Sequence, residues 1–110
     1  MESGALKPDT MQHILLIIVC EAAGTFILIN GVALAQGINA GFIVAGMFFI
    51  AISTFGRVTG AHLNGAVTLG VYIIEGKWGE NIKTVLIYFG AQTLGAYIGL
   101  FVANKMLTAN

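Results

Sequence analysis

The sequence predicts an all-α membrane protein: three transmembrane helices plus one short re-entrant helix that enters the bilayer and leaves by the same side. Three observations carry this. The chain is 57% hydrophobic and 9% charged with zero net charge over 110 residues, and its mean hydropathy is +0.89. Three apolar runs, at 13–34, 38–55 and 82–105, approach the roughly 20 residues that a spanning helix needs. Between Arg57 and Glu75 there is no charge, yet the apolar run Ala66 to Ile74 is about half the length that crossing takes. The length allows one domain at most. A neutral, apolar chain implies neither nucleic acid nor an acidic substrate. The single cysteine, Cys20, excludes an intrachain disulfide and reads as packing.

Residues 1–12 form a polar lead with Glu2, Lys7, Pro8 and Asp9. It does not resemble a cleavable signal, because the apolar run that follows is too long. The membrane-embedded part is expected over 13–107. Its first span, His13 to Leu34, is about 33 Å long as a helix. It carries one charge, Glu21, beside the small residues Ala22-Ala23-Gly24. An ionisable group inside a span marks a functional-site candidate; the alternative is a carboxylate that snorkels or is protonated. Ala35 to Asn39 makes a tight uncharged turn. The second span holds Gly41, Ala45 and Gly46, which allow a neighbouring helix to come close. After the re-entrant stretch 57–75, Gly76 suits a helix C-cap and Trp78 an interfacial anchor. The third span contains Gln92 and the close-contact spacing Gly95-x-x-x-Gly99. Asn104 to Asn110 is a polar end.

The re-entrant stretch admits one consistent geometry. Five or six extended residues from Val58 reach about 20 Å, near the middle of a ~30 Å hydrocarbon layer. A helix starting after Asn64 returns about 15–17 Å by Ile74. Asn64 is a favoured N-cap residue, which would hold its amide at the bilayer midplane. Non-helical backbone at that depth survives only where it is buried or lines a wet cavity, so a pore or binding site is expected around Asn64. A surface amphipathic helix following a loop is the other reading of so short an apolar run.

Thr59-Gly60-Ala61-His62-Leu63-Asn64-Gly65-Ala66-Val67-Thr68 closely resembles the S-G-A-H-x-N-P-A-V-T signature of the aquaporin, or major intrinsic protein, family. It departs at Thr59, a conservative change from serine, and at Gly65, which replaces proline. Glu21-x-x-Gly24-Thr25-Phe26 is similar to the E-x-x-G-T-F of the family's first helix, and Tyr88-x-x-Ala91-Gln92-x-x-Gly95-Ala96 resembles its third. The resemblance covers nearly the whole chain but only the first half of the family's inverted-repeat bundle. No second N-x-A-V-T stretch occurs, and there is no room for three more spans.

The resemblance implies a channel for passive movement of water or small neutral solutes such as glycerol. Asn64, Gly65 and Ala66 would form the tip of the pore half-helix. The carbonyls of Gly60, Ala61 and His62 would form a ladder of acceptors. An ungapped match places Val44 at a selectivity position where water-selective members usually carry a large aromatic, so a wider filter is expected. Glu21 would brace the loop, and the buried amide of Gln92 needs partners that the loop backbone can supply. A half-helix N-terminus at the midplane carries about half a positive elementary charge, which repels cations while neutral molecules pass.

No residue set suggests covalent chemistry or a cofactor, and an enzyme is not expected. His62 has no second His, Cys or carboxylate at ligand spacing, so no metal is expected either. The expected partners are membrane lipid, the solute and a second aquaporin-like half. That half could be a separate chain or the rest of a longer product. An antiparallel copy of this chain is disfavoured, since Lys7, Arg57, Lys77 and Lys83 fall on one side of three spans and only Lys105 on the other. That bias places the N-terminus in the cytoplasm. The family resemblance also implies a homotetramer. The alternative, favoured by the missing proline and missing second half, is a non-conducting membrane protein that oligomerises with or modulates a channel partner.

Overall fold

The computed structural model describes residues 8–76 and 78–109. Among them are four α-helices: α1 (Met11–Leu34), α2 (Ala40–Thr59), α3 (Gly65–Glu75) and α4 (Trp78–Thr108), with a short 3-10 helix, Gly37–Asn39, leading into α2. Three segments are long and apolar enough to cross a membrane: Met11–Leu34, Gly37–Thr59 and Asn81–Thr108. The shorter apolar helix is Gly65–Glu75. The first seven residues of the expected polar lead, including Lys7, lie outside the described residues, as do Lys77 and the side chain of Trp78.

α1 is the central element, packing against both α2 and α4, while α3 rests on α4. Its start is set by Thr10, whose side chain accepts from the His13 backbone N–H, and the His13 ring meets Asp9 at 2.6 Å. The helix therefore begins two residues before the apolar run does. Its buried positions, Ile17, Cys20, Glu21, Gly24, Thr25, Leu28 and Gly31, recur at three- and four-residue spacing and so share one stripe. That stripe is mixed: an apolar floor with a carboxylate and a hydroxyl at its centre.

Small residues let the backbones touch. A Cβ on Gly95 would run into the Ala22 carbonyl of α1, and one on Gly99 would stand 3.2 Å from the Phe26 carbonyl oxygen. Gly31 gives room to Met47 of α2 in the same way. The small residues of α2 are used differently. Gly41 and Gly46 have nothing within 4 Å of a Cβ position, so no helix of this chain uses the close approach they allow. α2 packs on α1, meets α4 only at its last residue, Thr59, among the described residues, and leaves Phe42, Phe49, Ile50 and Ile52 exposed.

The lead to the short helix also differs from the extended segment expected over Val58–Leu63. α2 does not stop at Phe55 but runs through Gly56, Arg57 and Val58 to Thr59. Nothing in Gly56-Arg57-Val58 breaks a helix, and the stop comes from Gly60. Its φ of 84° places it in the left-handed conformation that glycine adopts freely at helix C-termini, with its N–H on the Gly56 carbonyl at 2.9 Å. The non-helical segment is thus Gly60 to Asn64 and is coiled, not extended: Ala61 has φ 46° and Leu63 has φ 59°. At its far end α3 closes at Gly76, with φ 72° and its N–H on the Ile73 carbonyl.

Candidate functional site

Two left-handed non-glycine residues so close together cost about 1–3 kcal/mol each and persist only where the surroundings over-determine them. Here the surroundings are a set of buried polar side chains. Glu21 is fully buried and accepts three hydrogen bonds. The Leu63 N–H donates to Oε1 at 2.9 Å, the Thr59 hydroxyl to Oε2 at 2.6 Å, and Gln92 Nε2 to Oε1 at 3.0 Å. Thr59 Oγ1 in turn accepts from the Ala61 N–H at 3.1 Å, and the Thr59 carbonyl accepts from the Tyr88 hydroxyl at 2.6 Å. The Thr25 hydroxyl reaches the Leu63 carbonyl at 3.4 Å. Three helices therefore fix one short loop, α1 and α4 through side chains near mid-length and α2 through its last residue, Thr59.

A second junction lies at Thr68, one turn into α3. Its hydroxyl donates to the Asn64 carbonyl at 3.3 Å and accepts from Gln92 Nε2 at 3.0 Å; the His62 Nδ1 lies 3.1 Å away. The ring stacks on Tyr88 with centroids 4.6 Å apart and meets Tyr72 edge-on at 6.2 Å. Among the described residues, His62 Nε2 and Gln92 Oε1 are buried without a hydrogen-bond partner. The Gln92 amide cannot be turned round to cure this, since Oε1 would then face the Glu21 carboxylate.

Depth follows from the helices. Glu21 lies about 15 Å along α1 from Met11 and about 20 Å from Leu34 at a rise of about 1.5 Å per residue. A loop whose Leu63 N–H touches Glu21 therefore reaches the middle of the bundle. α3, about 16 Å long, then leads back toward the end from which α4 starts.

At the tip, Asn64 has φ −153° and ψ 131°, and its Oδ1 caps α3 by accepting from the Ala66 N–H at 2.7 Å. It is exposed, and its Nδ2 has no partner among the described residues. Ala66 is exposed and Gly65 half-buried. Ala61 and His62 are buried, at 6% and 3% exposure, while no donor is paired with the carbonyls of Gly60, Ala61 or His62 among the described residues. Val44 stands apart from the polar network. It is half-buried and packs with Phe48 and Phe55 on the cluster of Leu28, Ala51, Ala61 and Leu63, behind the loop. On the other side a cleft of about 290 Å³ opens between α1, α4 and the tip, lined by Thr25, Ile29, Leu63, Gly65, Phe89 and Gln92.

The Major intrinsic protein family model matches residues 6–110. The chain belongs to the major intrinsic protein family. It is 29% identical over 119 residues to the Arabidopsis thaliana protein named "Probable aquaporin NIP7-1", a match covering 97% of this chain and 42% of that one. The chain thus spans about two fifths of the length of this curated relative. No solved structure matches it. As a major intrinsic protein with three apolar helices of spanning length, it is an integral membrane protein, and its architecture is that of the first half of an aquaporin bundle.

Sequence reasoning singled out Glu21, Gln92 and the loop, and the structure brings these together, but Gln92 meets the Glu21 and Thr68 side chains and not the loop backbone expected to partner it. It did not foresee Thr25, Thr59, Thr68 and Tyr88 as the intermediaries. For three of them the signal was helical spacing: Thr25 follows Glu21 by one turn, Thr68 follows Asn64, and Tyr88 precedes Gln92, so each of these shares a face with a residue already suspected; Thr59 carried no such signal.

Proposed function

We propose that the chain is the first half of a channel for passive transmembrane movement of water and small neutral solutes such as glycerol. The observation that carries this reading is the exposed Asn64 at the tip of α3, held at mid-depth by buried side chains from α1, α2 and α4. A coiled backbone fixed there at such cost needs a purpose that packing does not provide. The Asn64 Nδ2 donates into the path, the partial charge of the α3 N-terminus repels cations, and the free carbonyls of Gly60, Ala61 and His62 accept from the passing solute. A molecule that both donates and accepts exchanges its hydration for this lining at little cost. Gly65 and Ala66 complete the tip, and Val44, as the small residue at the width-setting position, admits solutes larger than water. Glu21 and Gln92 brace the loop without touching the solute.

The lining is half of a pore. The remaining length of the relative suggests that a second half-bundle supplies the rest, and the open cleft between α1, α4 and the tip supports a docking face there. The N-terminus lies in the cytoplasm by the placement of basic residues, and the assembly is a homotetramer by family analogy. The test is solute flux across vesicles holding the chain with a second half-bundle, for which the Arabidopsis relative's C-terminal half is an available probe. Water and glycerol flux well above empty vesicles is expected. Assembly with no flux would favour the other reading, a non-conducting modulator that docks on a channel partner, which the exposed and unpartnered face of α2 supports.

A further inference from the structure

Gly65 stands at the first position of α3, where its backbone is an ordinary helical one and needs no glycine. The reason for glycine is space. The three atoms nearest a Cβ built there all belong to the ring of Phe89 on α4, with Cε1 at 3.2 Å, Cζ at 3.5 Å and Cδ1 at 3.6 Å. The edge of that ring therefore faces the first residue of α3, directly after the N-cap Asn64. Proline at such a position would fix its own φ and fill the space with its own ring. Glycine does neither and leaves its φ free. We propose that Phe89 is the positioning residue of the pore tip: its ring, reaching from α4, supplies the constraint that residue 65 does not, and Gly65 and Phe89 form a size-matched pair. Phe89 acts through Asn64 and does not itself contact the solute. The inference deepens the channel reading and rests on it for the role of the tip, but the pairing itself can be tested without conduction.

The test is a double-mutant cycle on the full chain in detergent, read by thermal stability and by hydrogen exchange over residues 60–68. Gly65→Pro alone is expected to lower the melting temperature, because the new ring meets Phe89. Phe89→Ala alone is expected to speed exchange at the Ala66 amide, whose acceptor is Asn64 Oδ1, while α1 is unchanged. The two together should reverse the sign of the Gly65→Pro effect, the proline ring now stabilising the tip in the space vacated. Phe89→Leu repeats the cycle with a smaller loss of packing if the alanine variant does not fold. Additive effects in both backgrounds, or exchange that rises equally throughout the chain, would overturn the pair. In the assembled channel the Phe89→Ala variant should raise glycerol permeability relative to water, and adding Gly65→Pro should bring the ratio back. Loss of all flux in parent and variants alike would instead sink the channel reading and leave the pair standing.

Discussion

The carboxylate of Glu21 holds the loop by number of contacts more than by any one of them. Replacing it with alanine strands the Leu63 N–H, the Thr59 hydroxyl and one proton of Gln92 Nε2, at about 1–3 kcal/mol for each buried group left unsatisfied. Glutamine is a different case. Its oxygen can keep the bonds from Leu63 and Gln92 while its amide nitrogen turns to Thr59 Oγ1, which can accept. Glu21→Ala should therefore fail to give folded protein, or melt far below the parent, while Glu21→Gln should fold and lose a fraction of that stability. If both melt like the parent, the loop is held by something else. Val44 makes a separate prediction about width. Val44→Phe should lower the glycerol-to-water permeability ratio of the assembled channel several-fold by narrowing the path. Because Val44 packs against the apolar cluster that includes Ala61 and Leu63, melting temperature must be followed too: an unchanged ratio in a stable variant would remove Val44 from the pore.

At the scale of the helices, the glycines divide into those that this chain uses and those it leaves open. Gly95 sits one turn from Gln92, so a side chain there pushes α4 off the Ala22 backbone of α1 and pulls the Gln92 amide from Glu21. Backbone cannot yield as a side-chain tip can, and overpacking at such a contact costs about 1–3 kcal/mol or more. Gly95→Val should disrupt the fold, read as loss of monodisperse protein after extraction. Gly46→Ala, with nothing within 4 Å, should leave the melting temperature of the lone chain unchanged or slightly raised. A Gly46→Ala change that spared the monomer but broke its oligomers would mark that face of α2 as a contact between copies. The helices themselves were legible from apolar runs and small-residue spacing. Their use was not: the same pattern in α2 and α4 meets backbone in one and empty space in the other, because close packing depends on which faces meet. The loop was misjudged for a related reason. Gly56-Arg57-Val58 beside a glycine looks breakable, but a glycine ends a helix only where it takes the left-handed turn, and that turn falls at Gly60.

For the molecule as a whole, depth decides what one chain can do. The loop reaches the level of Glu21, near the middle of α1, and α3 returns from there, so on the proposed channel reading the tip would line one half of a bilayer's thickness and leave the other half without a lining. An isolated tip would set the Asn64 amide and the unpaired carbonyls of Gly60, Ala61 and His62 against hydrocarbon, where each group without a partner costs several kcal/mol. Two routes would complete the path: a second half-bundle docking on the α1–α4 cleft, or a second copy of this chain in the opposite orientation. The second requires the same sequence to insert both ways, and the bias of basic residues to one side opposes that. The 110-residue chain reconstituted alone should therefore give osmotic water flux little above that of empty vesicles, and a second half-bundle added during reconstitution should raise it. Cysteines placed at Thr93 and Ala96, which also line the cleft, should crosslink to that half and not to each other. Strong flux from the lone chain, with crosslinks between copies labelled from opposite faces of the vesicle, would replace this account with an antiparallel homodimer.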